Sequence, residues 1–483
     1  MAVSPAYTST TSVEQACQKL KSTLNVDRVV VFSPGSDQYE AAATGAWNAA
    51  NQQLRPTCIV FAANAAHVRV AMKIIFDTRV SYAVQAGGHS GMKGWNNVND
   101  GILISFSSMK AVFYDSERDT ITFEPGITWA DAVAGLESEG VAAVGARFSD
   151  VGPGFLLGGG LSFLSFSQGY GADNYVELDV VLVNGTSVTA TADNEYGDLF
   201  KALKGGANRF GIITRYEVRA IHIGKEEDKT WYGGLVTYPK SSHEELLAAT
   251  AHFARNSKDP NAVLLNSFDH VGDLVIGNAY MFYNGSATLF NQTFSEFLSI
   301  ASNTTDLGSL SYVDVSNVLD ASGDESGHLQ LMTSTALEGK AADESIESYL
   351  ETYRLWDDFS TTFSDELTFG VLAISPITEP QIQIGRERGG NAINPPMRGF
   401  VNMMFQIALP LGVNEVPMDM QAARMDYLQR APMDPGLPLN INECDASQNV
   451  FATYGEFDFL KATYAKYDPS GFNLAYTQGP IGL

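Results

Sequence analysis

A histidine that follows two glycines is the residue of this chain best placed to do chemistry. Val84-Gln85-Ala86-Gly87-Gly88-His89-Ser90-Gly91 runs from a short apolar strand into a glycine turn and then presents one imidazole. Paired glycines carry no Cβ, so a flat ligand can approach the main chain closely, and they permit the positive φ of a sharp turn. On spacing alone an ordinary loop with a solvated imidazole is the commoner explanation; the context reverses that. Arg147 to Gly160 holds five glycines and a proline within fourteen residues. Such a loop exposes backbone N–H groups that can form a nest for a diphosphate. It lacks the Walker lysine and the Rossmann spacing after a strand, so neither of those nucleotide folds is indicated. A flexible linker does not explain it either, because Val151, Phe155, Leu156 and Leu157 would be left in water.

The elements that must position these groups are legible around them. Val13, Ala16, Cys17, Leu20 and Leu24 recur at helical spacing, and Arg28–Phe32 and Cys58–Phe61 are strand candidates. Asn64 is placed to cap a helix through Val68, Ala71, Met72 and Ile75, after which Tyr82–Val84 leads into the glycine turn. Strand, helix, strand and glycine turn describe an α/β ligand-binding unit. Residues 101–105, 111–113 and 120–123 follow as strands, and a helix opens near Thr128-Trp129. Asn184-Gly185 between 179–183 and 186–190 is the strongest short hairpin signal in the chain. Leu199–Lys204 is a brief helix stopped by Gly205-Gly206, and Ile212–Thr214 is a strand. The charged run 225–229 then marks a boundary. Beyond it, strands at 235–238, 263–270, 274–282, 367–374 and 401–409 alternate with helices at 242–255, 289–299 and 345–359. That block is α+β with one wide antiparallel sheet, a natural floor for a substrate.

At 483 residues, two or three domains are expected. Thirty basic against 55 acidic side chains give a formal charge of −25, which repels phosphate backbones and argues against nucleic acid as a partner. No run of 18 apolar residues occurs, so no membrane-spanning helix and no membrane partner is expected. Met1–Thr11 lacks the basic start and apolar core of a secretion signal, favouring the cytoplasm. Two features pull toward the secretory pathway: Cys17 and Cys58 could pair, and Asn184, Asn284, Asn291 and Asn303 sit in glycosylation sequons. Three cysteines are too few for a disulfide framework. No metal site is expected.

Several separated motifs in one order carry a resemblance. Ala16-Cys17, Pro56-Thr57-Cys58-Ile59-Val60, Gly87-Gly88-His89-Ser90, Gly126-Ile127-Thr128-Trp129, Arg147–Gly160, Gly205–Phe210 and Lys466-Tyr467-Asp468-Pro469 span nearly the whole chain. Together they resemble the berberine bridge enzyme-like, FAD-linked oxidases of the vanillyl-alcohol oxidase superfamily, and most closely their fungal branch. The resemblance implies an α+β fold: a two-lobed PCMH-type FAD-binding domain over residues 1–222, an inserted substrate domain over 223–437 containing a large antiparallel sheet, and a C-terminal segment, 438–483, returning to the FAD domain. It also implies that His89 bonds covalently to the 8-methyl carbon of the flavin. Many relatives add a cysteinyl link; Phe148 stands at that position here, so a single bond is expected. Gly87, Gly88 and Ser90 would flank the histidine. Val151, Gly152, Gly154, Gly158, Gly159 and Gly160 would cradle the diphosphate, and Gly206, Asn208, Gly211 and Ile212 would border the adenosine or the flavin ring.

The chain departs from the pattern in three places. The glycine loop is one residue shorter than in the fungal branch, and the asparagine often found near Glu456 is missing. The tyrosine-rich segment that often assists substrate deprotonation reads Asn440-Ile441-Asn442-Glu443. Glu443 therefore becomes a candidate base, since burial can tune a carboxylate beside a flavin toward neutral pH. Tyr280, Tyr283 and His270, all on expected sheet strands, are the other candidates. The leading expectation is an oxidase of a small secondary metabolite, with hydride passing to the flavin, dioxygen reoxidising it, and a monomer or dimer as the working unit. Loss of the usual base leaves a flavin-containing non-redox cyclase or pericyclase as the competing class. A secreted carbohydrate oxidase would need an export route and would favour aromatic platforms, for which five tryptophans are few.

Overall fold

The computed structural model describes residues 10–26, 28, 30–322 and 325–483. The expectation for the extreme N-terminus, residues 1–9, and for Val29 within the first strand lies outside these. Parallel strands Cys58–Phe61, Ile102–Ser105 and Tyr82–Gln85 form the core of a first sheet, with Val31–Phe32 antiparallel at its edge. The crossover between two of them is the helix Ala65–Thr78. It starts where Asn64 accepts a hydrogen bond from His67 N and stops where Arg79 turns left-handed at φ 52°. Its apolar face, Val68, Ala71, Met72 and Ile75, is buried against the sheet.

The helix Thr10–Leu24 is fastened to this sheet by a disulfide between Cys17 and Cys58, so the pairing left open by the sequence is made. The bridge closes a separation of 41 residues, which chain-entropy arguments value at roughly 4 kcal/mol. Replacing both cysteines by serine is expected to lower the thermal midpoint of the first lobe by several degrees in calorimetry; an unchanged midpoint would show the bridge to be redundant.

A second, antiparallel sheet runs in the order Val112–Asp115, Thr120–Phe123, Ile212–Arg219, Tyr175–Val181, Ser187–Ala190. The last two strands are the expected hairpin, and Gly185 takes φ +82° at its turn. The third sheet has seven antiparallel strands, in the order Thr304–Leu310, Trp231–Pro239, Leu274–Asn284, Ala262–Val271, Phe369–Ile377, Phe400–Leu409, Leu329–Glu338. Two of these, Thr304–Leu310 and Leu329–Glu338, were not expected. Thr304–Leu310 is a largely exposed polar edge, and Leu329–Glu338 carries too many Ser, Thr and Gln residues to announce a strand. The expected helix 289–299 is broken at Phe294 into Ala287–Thr293 and Ser295–Ser299.

Helices His243–Asn256 and Glu347–Thr362 cover one face of the large sheet, where Phe268 packs edge-on against His243 and Tyr353 and tilts against Trp356. Because strand side chains alternate, the other face is turned toward the glycine loops of the first lobe. Segment 378–398, with helix Glu379–Glu387, leaves the sheet and docks on that lobe: Arg388 donates to Gln168 O (2.7 Å) and Asn391 to Asp173 Oδ1 (2.8 Å).

The tail closes the first lobe. After helix Phe457–Tyr467, Asp468 accepts hydrogen bonds from Phe472 N (2.9 Å), Asn473 N (2.7 Å) and the Tyr464 hydroxyl (2.7 Å). The buried guanidinium of Arg209 then holds the last turn, donating to Asn473 Oδ1 (2.8 Å), Thr477 O (3.1 Å) and Pro480 O (3.0 Å).

Candidate active site

The strand Tyr82–Gln85 delivers the chain to Gly87 and to Gly88, whose φ is +82°. The Gly88 carbonyl is held twice, by Trp47 N (3.0 Å) and Asn96 Nδ2 (2.6 Å), so the turn is a fixed object rather than a loose loop. His89 stacks on the Trp47 indole with ring centres 4.3 Å apart and planes 17° from parallel. Its Nε2 stands 3.3 Å from Asp150 Oδ1. Burial pushes the Asp150 carboxyl up, but the hydrogen bond and charge of His89 outweigh burial and hold it below its ordinary value.

The histidine turn and the glycine loop meet backbone to backbone. A Cβ on Gly87 would stand 2.6 Å from Gly152 N, and a Cβ on Gly152 the same distance from Gly87 N. Glycine at both positions is therefore what brings His89 beside the residues after Asp150. The loop itself folds as a short 3-10 stretch, Pro153–Gly158.

A cavity of about 750 Å³ lies between this wall and the large sheet. Gly87, Gly88, His89 and Ser90 line it, as do Val151, Gly152, Gly154 and Gly158 from the second loop. Asn208, Gly211 and Ile212 complete the first-lobe side. Gly159, Gly160 and Gly206 stand behind the wall. Their small size serves packing: a Cβ would meet Ile393 Cδ1 at 2.5 Å, Phe155 Cε2 at 2.8 Å and Ala202 O at 2.4 Å respectively. Phe148 lines the cavity with its ring centre 6.4 Å from that of His89, where a cysteine would be needed for a second tether.

The four base candidates separate. Tyr280 lines the cavity, and burial, aided by the neighbouring Asp269 charge, pushes its phenol up to about 12. Glu443 also lines it, but its Oε1 is bound by Arg147 Nη2 at 2.9 Å, and Arg147 Nη1 donates to Ser375 Oγ (2.8 Å). His270 does not reach the cavity. It is one step out of phase with the cavity-facing Leu265, Ser267 and Asp269, and it lies instead against Trp356 and Thr361 Oγ1 (3.5 Å) on the helix side. Tyr283 sits at the strand end with its hydroxyl on Asp259 Oδ2 (2.7 Å), outside the cavity. Sequence reasoning missed Trp47, Asp150, Asp269, Glu325 and Gln406, all of which line it. For Asp269 the signal was present: a carboxylate inside a strand that begins with four apolar residues.

The residues fit a bound dinucleotide flavin on observations of the site alone. Asn96 Oδ1 and Asn208 Oδ1, on two cavity-lining residues, are buried acceptors without a partner. Gly154 has room for a methyl group as far as the protein is concerned, since a Cβ would find only Ala86 Cβ at 3.8 Å. A glycine there makes sense when something else approaches the backbone.

Residues 56–191 match the FAD binding domain family. An uncharacterized FAD-linked oxidoreductase of Arthroderma benhamiae is 28% identical over 404 residues, covering 83% of this chain and 79% of the relative. An FAD-dependent monooxygenase of Aspergillus calidoustus is 27% identical, covering 98% and 90%. Among solved structures, a variant of BBE-like 1 from Physcomitrella patens superposes with a TM-score of 0.76 at 19% identity, over 98% of this chain and 99% of that one. The two-lobed architecture with a large antiparallel sheet is thus a known fold.

Proposed function

We propose that this chain, an FAD-linked oxidoreductase with its FAD-binding domain over residues 56–191, carries the flavin on His89 and oxidises a small secondary metabolite, returning the electrons to dioxygen. One observation carries the reading: one cavity has the His89 turn and the glycine loop on one wall and, on the other, a largely apolar sheet face that bears Ser267, Asp269, Tyr280 and Gln406. When bound, the flavin accepts a hydride from the substrate and passes the electrons on. The rest is the work of the chain. His89 tethers; Gly152, Gly154 and Gly158 offer close backbone approach to the diphosphate; Asn208, Gly211 and Ile212 border the ring or adenosine.

Among the sequence candidates for the base, Tyr280 is a neutral phenol at physiological pH and suits a hydrogen-bond donor to the substrate. Glu443, fastened to Arg147, suits the task of holding that guanidinium against the cavity wall. The Cys17–Cys58 disulfide favours an oxidising compartment over the cytoplasm. Among the described residues no helix is long and apolar enough to cross a membrane.

The test is spectroscopic. Flavin-loaded protein reduced with dithionite and freed of excess reductant is expected to regain its yellow band on mixing with aerated buffer, releasing one hydrogen peroxide per flavin. Reoxidation without peroxide would overturn dioxygen as a two-electron acceptor. With a substrate in hand, anaerobic bleaching of the flavin supports oxidation, whereas turnover with an unchanged spectrum establishes the non-redox cyclase.

A further inference from the structure

Among the described residues five carboxylates line the cavity, and four of them are engaged or open to water. Glu443 is bound by Arg147, Asp150 lies against His89, Glu325 Oε2 accepts from Gln406 Nε2 at 3.3 Å, and Asp320 is exposed. Asp269 differs in carrying one buried oxygen that is left unpaired. It projects from near the C-terminal end of strand Ala262–Val271, with Asn278 Nδ2 of the neighbouring strand fixing Oδ2 at 2.6 Å. Its Oδ1 is buried and has no hydrogen-bond partner. A buried acceptor left unpaired in an otherwise paired polar patch costs stability, and such groups mark places where a ligand completes the pairing.

We propose that Asp269 is the catalytic base of this protein, accepting through Oδ1 the proton of a substrate O–H or N–H. The proposal rests on the oxidase reading above. For a substrate bearing H–C–O–H or H–C–N–H, the O–H or N–H bond breaks and its proton goes to Asp269. The C–H bond breaks and its electron pair leaves as hydride to the bound flavin, and a C=O or C=N bond forms. Dioxygen then takes the two electrons and two protons, one of them from Asp269, leaving hydrogen peroxide.

The surroundings agree. Burial pushes the Asp269 carboxyl up to about 6, with hydrogen bonds from Ser267 and Asn278 opposing. On the same sheet face stand Tyr280 of the neighbouring strand, which feels the Asp269 charge, Glu325 from the approach to strand Leu329–Glu338, which feels it too, and the apolar Val371 paired with Asp269 on the other side. His89 and Asp150 are the remaining charged groups that act on this acidic patch, through Glu325. Among the described residues no cation touches Asp269 to hold its proton affinity low, so near neutral pH it is ionised yet basic enough to take a proton. Tyr280, neutral and on the same cavity wall, is available to hold another part of the substrate.

The test uses flavin-loaded protein and its Asp269→Asn variant, which keeps shape and the Asn278 contact. Benzyl alcohol, cinnamyl alcohol, D-glucose and N-methylbenzylamine serve as trial reductants in anaerobic stopped flow. With whichever reduces the parent, D269N is expected to slow flavin reduction by about 100-fold or more, and the parent rate is expected to fall as pH drops through about 6. Reduction of D269N at the parent rate, with the same pH profile, overturns the proposal. Infrared difference spectra of both proteins between acid and neutral pH need no substrate. They are expected to show a protonated buried-carboxyl band in the parent that D269N lacks; identical spectra also overturn it. If none of the four compounds reduces the parent, that failure falls on the oxidase reading, while the infrared comparison still decides whether Asp269 takes a proton in the cavity.

Discussion

A His89→Ala variant is expected to lose all denaturation-resistant flavin while keeping its fold. Parent protein precipitated with acid should carry its yellow colour into the pellet, and digestion should return a flavin-labelled peptide containing His89. The variant should release all colour to the supernatant, or be purified without any. The geometry makes this an all-or-none effect. His89 is held in one orientation by the Trp47 ring beneath it and by Asp150 at Nε2. With Nε2 turned to a carboxylate, the proton sits there and Nδ1 is left with the lone pair a covalent bond requires. No second tether stands nearby, because Phe148 occupies the neighbouring wall. Far-ultraviolet circular dichroism of the variant should match the parent, since the turn is held by Gly88 O rather than by the imidazole. Colour retained in the pellet of H89A would sink the tether.

The second large effect is expected from two neighbouring glycines that answer differently. Gly152→Ala forces a methyl group to within 2.6 Å of the Gly87 backbone, and the two loops must part. Overpacking of this kind costs roughly 1–3 kcal/mol, so G152A should show both a lower thermal midpoint and a several-fold smaller fraction of bound flavin. Gly154→Ala meets nothing closer than Ala86 Cβ at 3.8 Å, so flavin-free G154A should melt with the parent. Its flavin content should nevertheless fall several-fold if, as proposed, the diphosphate approaches the backbone at Gly154. Full flavin loading of G154A would place the diphosphate elsewhere.

Local signals carried a good part of this architecture. Asn64, the Asn184-Gly185 turn and the strands flanking the glycine turn each announce themselves through a short-range physical cause, capping, turn geometry or alternation, and the structure has them where expected. The wide antiparallel sheet was visible for the same reason, though its polar strand Leu329–Glu338 was not. What stayed hidden depends on contacts between distant residues. Trp47 stacks on His89 from a separate stretch of chain, and no local pattern ties the two. His270 and Asp269 are adjacent in the chain, yet alternation sends one to the helices and the other to the cavity, and only the phase of the whole strand decides which. Glu443 looked free because its partner, Arg147, lies 296 residues earlier.

The clamp of Arg209 on Asn473, Thr477 and Pro480 has a consequence for how the protein is made. A nascent chain that has delivered His89, both glycine loops and the entire sheet still leaves Arg209 without these acceptors until Asn473, Thr477 and Pro480 have been made. Sealing of the first lobe therefore waits on residues 473–480, and a chain cut between Leu460 and Asn473 is expected to leave the buried Arg209 guanidinium without these acceptors.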